Sequence, residues 1–145
     1  MTRLVLVRHG ESIVTVNRVI GGHRTCTGLS PLGRTQAERL RDRWLASSEF
    51  TADVLMSSHY ARALETARIV APALGGLEPL IDDGFGEHDP GPECDGLKYA
   101  EFTERYPSAR HWWETTDPFA TTFPGGETVA ARSEEHTSEL QSPCN

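Results

Sequence analysis

Two polar segments that follow apolar runs carry the residues best suited to chemistry. Arg8 and His9 come directly after the apolar run 4–7, and Arg62 lies shortly beyond the apolar run 54–56. An arginine presents a planar set of N–H donors that matches the oxygens of a phosphoryl group. A histidine is neutral near neutral pH and can then act as a nucleophile. These residue types together predict a site that binds and transfers a phosphoryl group.

Each segment is expected to follow a strand of a parallel sheet. The run 4–7 is continuous and rich in β-branched residues, which predicts a strand covered on both faces. The run 54–56 predicts a second buried strand. Because ligands bind outside the carboxyl ends of strands in open parallel sheets, the two segments should meet in one crevice. A helix that starts after Ser58 would add backbone N–H groups favourable to an anion.

A helix is predicted after each of these strands. Ser30 and Pro31 combine a hydroxyl N-cap with proline at the first helical position, and the helix should run to about Ser47. Its apolar side chains, Leu45 among them, should pack on the sheet. Further helices are predicted at 61–73, 99–106 and 111–114, and a loop at 82–96. The alternation of strand and helix indicates an α/β domain.

Composition excludes several classes of protein. The chain has 145 residues, enough for one compact domain, and its net charge of −7 argues against a nucleic-acid or anionic-membrane binder. No apolar run is long enough to cross a bilayer and no signal-peptide pattern is present, so a cytoplasmic location is expected. Three widely spaced cysteines, Cys26, Cys94 and Cys144, argue against a disulfide framework and a cysteine-rich metal site.

Three motifs in this order resemble the histidine phosphatase family, also called the phosphoglycerate mutase-like superfamily. They are LVLVRHGES at 4–12, LSPLGRTQAERL at 29–40 and VLMSSHYARALETARIVA at 54–71. The resemblance runs from about residue 2 to residue 131. It implies a three-layer α/β/α domain with a parallel-rich central sheet and a reaction through phosphohistidine.

The resemblance also implies roles for individual residues. His9 would be the nucleophile, and Arg8 and Arg62 would bind the phosphoryl group and stabilise its developing charge. Asn17 would correspond to a phosphate-contacting asparagine, although the spacing of the intervening loop is irregular. The substrate would be a small phosphorylated molecule, and no cofactor or metal is implied. The resemblance leaves the substrate's identity and the oligomeric state open.

The family's general acid, which protonates the leaving oxygen, has two candidate positions. Glu87 fits the family's pattern with one extra residue before the following glycines. Asp82 fits the first part of that pattern, with aspartate in place of glutamate. We favour Glu87 as the general acid. The segment Glu87-His88-Asp89 could instead bind a metal, which we do not expect because the family needs none.

Two rival functions remain open at this point. A phosphoglycerate mutase would use the same site but return the phosphoryl group to its substrate. A non-catalytic phosphate-binding module is the other alternative, because the family's second catalytic histidine, in a His-Gly motif after a further strand, has no counterpart. His136 lies in a polar stretch without a following glycine and does not fit that role.

The end of the chain is expected to differ from the rest. Residues 132–142, RSEEHTSELQS, resemble the translation of a common sequencing adapter, so we expect a partial histidine phosphatase domain at 1–131 and a non-native or disordered tail at 132–145. The family's sheet would then be incomplete at its C-terminus. Such a chain would be marginally stable and would show little turnover.

Overall fold

The computed structural model describes residues 2–107, 117, 119 and 122–133. Within these residues, β1 is Met56–Ser57 and β2 is Leu80–Ile81. The helices are α1 Ile13–Val16, α2 Pro31–Ser47, α3 Ala61–Val70, α4 Gly91–Cys94 and α5 Tyr99–Arg105. Two 3₁₀ turns span Ala71–Leu74 and Asp83–Phe85, and residues 129–133 are helical.

A strand–helix–strand unit forms the centre of the described fold. β1 and β2 pair in parallel, with Met56 opposite Leu80 and Ser57 opposite Ile81. α3 and the 3₁₀ turn that follows it connect the two strands, and Gly75 ends the turn with a positive φ. The predicted helix 61–73 and the predicted α/β fold are therefore confirmed. The strand predicted at 54–56 lies two residues further along, at Met56–Ser57.

The second helix begins where the sequence predicts. Ser30 caps α2 by accepting a hydrogen bond from the backbone N–H of Gly33, and Pro31 occupies the first turn. α2 packs against α3 and buries Ala37. Leu45, which we expected in this contact, is 56% exposed, so that part of the prediction is wrong.

Residues 4–7 do not form the predicted strand. In the described part of the chain, this segment pairs with no strand, and Leu4 and Leu6 are 73% and 78% exposed. A β-strand needs a neighbour to satisfy its backbone N–H and C=O groups, and β1 pairs only with β2 here. The apolar side chains of residues 4–7, which directly precede Arg8 and His9, are therefore not buried on both faces as the composition predicts.

The region after β2 is more structured than the predicted loop at 82–96. It contains the 3₁₀ turn Asp83–Phe85 and α4. This region packs against the segment that precedes α2 through a small hydrophobic core. That core comprises Ile20, Cys94 and Phe102, with Leu97, Tyr106 and Phe123 packed against it. α5 confirms the helix predicted at 99–106.

Parts of the chain lie outside the described residues. They include the helix predicted at 111–114 and residues 134–145 of the predicted tail. Arg132 and Ser133 are helical, and the division at residue 131 stays a prediction. None of the described helices is long and apolar enough to cross a membrane.

Candidate active site

The imidazole of His9 is held in one tautomer. Its Nδ1 lies 2.7 Å from the carbonyl oxygen of Gly10, and a carbonyl oxygen only accepts hydrogen bonds, so Nδ1–H is the donor. The neutral ring then carries its lone pair on Nε2. The Nε–H of Arg62 donates to that Nε2 at 3.0 Å. Nε2 is therefore the ring atom that is free of a proton and able to act as a nucleophile.

Arg62 is a buried cation at the start of α3. Its side chain is held over the ring of Tyr60, with the guanidinium carbon 4.3 Å from the ring centroid. Only 5% of the residue is exposed, and in the described part of the chain no carboxylate forms an ion pair with it. A buried charge without a counter-ion is costly, and an incoming anion would remove that cost. Arg62 therefore predisposes the site to bind an anionic group.

The backbone after His9 is fixed by close contact with α2. A Cβ on Gly10 would lie 2.4 Å from the carbonyl oxygen of Gly33, and a Cβ on Gly33 would lie 2.0 Å from the carbonyl oxygen of Glu11. The Ser30 hydroxyl also donates to the Glu11 carboxylate at 2.6 Å. These contacts position the segment that carries His9, because only glycine at both positions allows the two backbones to meet.

His9 lines a cleft of about 240 Å³ together with most of the predicted site residues. Arg8 and Glu87 are exposed at this cleft, whereas Arg62 is buried in its wall. The other lining residues are Val7, Ser58, Tyr60, Ala63, Phe85 and Gly86. The structure thus brings two arginines, one histidine and one carboxylic acid to the same cavity.

Two of the candidate residues lie elsewhere. Asn17 caps the C-terminus of α1, is exposed, and does not line the cleft. Asp82 caps the 3₁₀ turn Asp83–Phe85 by accepting from the N–H of Gly84, and it does not line the cleft either. Of the two carboxylic acids considered for proton donation, Glu87 is the one that shares a cavity with His9.

The segment Glu87-His88-Asp89, considered above as an alternative metal site, makes another contact. The His88 Nε2 is hydrogen-bonded to the backbone carbonyl of Glu127. Within the described residues, no three His, Cys, Asp or Glu side chains are arranged to hold a metal ion. Of these three residues, Glu87 lines the cleft with His9.

Burial lowers the pKa of His9 below the ordinary value for histidine, and the positive charges of Arg62 and Arg8 add to this effect. The hydrogen bond to Gly10 and the negative charge of Glu87 act in the opposite direction. The net lowering keeps the ring neutral, and therefore nucleophilic, at a lower pH than a free histidine.

We expect the His9 ring to titrate with a midpoint below about pH 6.5, the ordinary value for histidine. Reaction at His9 should then rise with pH through this lowered midpoint, because the deprotonated ring is the reactive form. NMR titration of the His9 ring measures it directly. Arg8→Gln should raise the midpoint and Glu87→Gln should lower it further. A midpoint at or above 6.5, or shifts of the opposite sign, would contradict the electrostatic description.

Sequence reasoning missed some residues of the cleft wall, most notably Tyr60. The segment Ser57-Ser58-His59-Tyr60 lies between the predicted strand and Arg62, and its sequence predicts no role for Tyr60 itself. An aromatic side chain two residues before a candidate phosphate-binding arginine is the available signal. Its significance depends on the ring lying under the guanidinium, which the sequence does not show.

Comparison with known proteins shows the family of this chain. The model of the histidine phosphatase superfamily (branch 1) matches residues 4–142. Phosphoglycerate mutase-like protein 4 of Arabidopsis thaliana is 34% identical over 138 residues, which is 95% of this chain and 58% of the relative. The uncharacterized phosphatase PhoE of Bacillus subtilis (strain 168) is 32% identical over 108 residues, 74% of this chain and 52% of the relative. The chain thus spans little more than half the length of these relatives.

Solved structures show the same fold. YhfR of Bacillus stearothermophilus superposes with a TM-score of 0.74 at 31% identity, covering 93% of this chain and 63% of that one. A mycobacterial glucosyl-3-phosphoglycerate phosphatase in complex with VO3 gives a TM-score of 0.70 at 30% identity, covering 91% and 61%. The chain belongs to the histidine phosphatase superfamily (branch 1).

Proposed function

We propose that the chain carries the phosphoryl-accepting site of a phosphatase that hydrolyses phosphomonoesters through a phosphohistidine on His9. The observation that carries the proposal is the pairing of His9 and Arg62. The Nε2 of His9 lies 3.0 Å from the Nε of Arg62, which is buried and forms no ion pair with a carboxylate among the described residues, in a cleft that Arg8 and Glu87 also line. Phosphatase relatives support the same chemistry by family membership.

The first half of the reaction uses these four side chains. Nε2 of His9 attacks phosphorus while the bond from phosphorus to the ester oxygen breaks, and Glu87 gives its proton to that oxygen. As Nε2 becomes bonded to phosphorus, the Nε–H of Arg62 is released to a phosphoryl oxygen. Arg8 and Arg62 together stabilise the negative charge that develops on the phosphoryl oxygens.

In the second half of the reaction, the phosphohistidine is hydrolysed and Glu87 acts as a base. Water attacks phosphorus, the carboxylate of Glu87 takes one of its protons, and the bond between phosphorus and Nε2 breaks to release inorganic phosphate. Neutral His9 is regenerated with its Nδ1–H still bonded to Gly10. Glu87 thus acts first as acid and then as base, which only a carboxyl group with access to both the ester and water can do.

Steady-state assays distinguish hydrolysis from the rival functions. Because little turnover is expected of this chain, slow release of inorganic phosphate from p-nitrophenyl phosphate, with no conversion of 3-phosphoglycerate to its isomer, is the expected result. Isomer formation without phosphate release would instead establish a mutase. Binding of inorganic phosphate without either reaction would establish a phosphate-binding module and overturn the hydrolytic proposal.

A further inference from the structure

Glu127 binds the segment that carries the proposed acid, and it does so from outside the cleft. Its carboxylate accepts a hydrogen bond from the backbone N–H of Asp89, with Oε2 3.2 Å from the nitrogen. Its own backbone N–H donates to the Asp89 carbonyl oxygen at 3.0 Å. Asp89 is two residues beyond Glu87, and Glu127 does not line the cleft. Glu127 therefore fixes the backbone next to Glu87 without contacting the cavity that holds His9.

The same carboxylate is linked to the other end of this segment. Glu127 Oε2 accepts from Arg132 Nε at 3.1 Å, and Arg132 Nη1 donates to the Asp83 carbonyl oxygen at 2.8 Å. The Glu127 and Arg132 side chains are 15% and 17% exposed, so water screens this ion pair less than it would a surface pair. Residues 83–89 are thus held at both ends by one glutamate and its partner arginine.

The middle of the segment faces His9. Residues 85–87 line the cleft with His9, whereas the two residues at the ends of the segment do not. The chain that leads to Glu127 packs closely on one of these ends, since a Cβ on Gly126 would lie 2.8 Å from the Asp89 carbonyl oxygen. The position of the Glu87 carboxyl group therefore depends on where the ends are held. A misplacement of about 1 Å in a reacting group can slow a reaction by about 10²-fold.

We propose that Glu127 is a positioning residue for the general acid. Its bonds to Asp89 and Arg132 hold residues 83–89 so that the Glu87 carboxyl group can protonate the leaving oxygen. The inference rests on the proposed function, in which Glu87 is that acid. Glu127 contacts neither the substrate nor the phosphoryl group and acts only through Glu87. Loss of Glu127 should therefore matter only where the leaving group needs a proton.

Two phosphomonoesters with different leaving groups test the proposal. Nitrophenolate is a stable anion and leaves without a proton, whereas an alkoxide must be protonated as it leaves. In a single turnover, Glu127→Ala should slow incorporation of ³²P from labelled n-propyl phosphate by about 10–100-fold. Incorporation from labelled p-nitrophenyl phosphate should change by less than about threefold, because that step does not use the acid.

A double substitution shows whether Glu127 acts through Glu87. Glu87→Gln removes the proton donor, so the addition of Glu127→Ala should slow transfer from n-propyl phosphate no further. Two groups that acted on this step independently would instead give losses that multiply.

Glu101→Ala is the matched control for the loss of a carboxylate. The Glu101 carboxylate also accepts one backbone N–H, from Lys98 at 3.0 Å, and Glu101 does not line the cleft. This variant should keep the ratio of the two rates. Glu127→Gln keeps an acceptor for the Asp89 N–H but loses the ion pair, so it should show the same selective loss to a smaller extent. It decides the matter if circular dichroism shows that Glu127→Ala is unfolded.

Several results would overturn the inference. Equal slowing with both esters, in Glu127→Ala or, where that variant is unfolded, in Glu127→Gln, would show a structural role alone. Unchanged incorporation from n-propyl phosphate, or a further loss on top of Glu87→Gln, would also contradict it. Label from p-nitrophenyl phosphate alone in the unaltered protein would show that Glu87 protonates no leaving group, and the Glu127 assignment would fall with it. Failure of the unaltered protein to take label from either ester would overturn the proposed function itself.

Discussion

Arg62→Ala is expected to slow phosphoryl transfer to His9 by about 10²–10³-fold, the typical effect of removing one donor that stabilises developing charge. The substitution removes the N–H that lies 3.0 Å from Nε2 and the buried positive charge that favours an anion in the cleft. It also removes one of the charges that lower the pKa of His9. The rate of label incorporation from a ³²P-labelled phosphomonoester in a single turnover measures the effect.

Arg62→Lys and Arg68→Ala complete this test. Lysine keeps the charge but lacks the planar set of donors, so Arg62→Lys should recover only part of the rate. Arg68 is an exposed arginine on the same helix, and Arg68→Ala should behave like the unaltered protein. Incorporation at an unaltered rate in Arg62→Ala would remove Arg62 from the proposed reaction.

Gly33→Ala is expected to lower the free energy of unfolding by about 2–3 kcal/mol. In an ordinary helix this change would stabilise by up to about 1 kcal/mol, because alanine is the better helix former. Here the added Cβ would lie 2.0 Å from the Glu11 carbonyl oxygen, which is backbone and cannot rotate away. The segment after His9 must then move away from α2. Urea unfolding followed by circular dichroism gives the value.

The same substitution should also impair the site. Because Gly10 and Glu11 follow the nucleophile directly, their displacement changes the hydrogen bond that fixes the His9 tautomer. Arg39→Ala, at an exposed position of the same helix, is the control and should change stability by less than about 0.5 kcal/mol. A stabilised Gly33→Ala variant would show that the two backbones are not in contact.

Local signals predicted much of the fold. Ser30 and Pro31 mark the start of α2, and Gly75 follows the 3₁₀ turn that continues α3, because a capping hydroxyl, a fixed proline φ and a glycine with positive φ act within one turn of chain. The grouping of His9 with Arg62 was predicted from two strand ends at one edge of a sheet, and the two side chains do meet although residues 4–7 form no strand in the described part of the chain. These inferences depend on sequence neighbours or on a general rule of topology.

Features that depend on distant parts of the chain were harder to predict. The run 4–7 has the composition of a buried strand. A strand forms only where a partner strand lies beside it, and the sequence of the run does not identify that partner. Glu87 and Asp82 were both plausible acids in the sequence. The structure distinguishes them because Asp82 caps a turn, whereas Glu87 lines the cleft with His9. Tyr60 became significant only when its burial was known.

The identity of the residue that carries phosphate tests the proposed reaction most directly. After brief reaction with a ³²P-labelled phosphomonoester, we expect one label per chain that is stable to alkali, labile to acid, and located on His9 by mass spectrometry. His9→Ala should abolish the label, whereas His88→Ala should retain it, because the His88 ring is hydrogen-bonded to the Glu127 carbonyl and does not line the cleft. An acid-stable label, or a label that persists in His9→Ala, would contradict the assignment of His9 as the nucleophile.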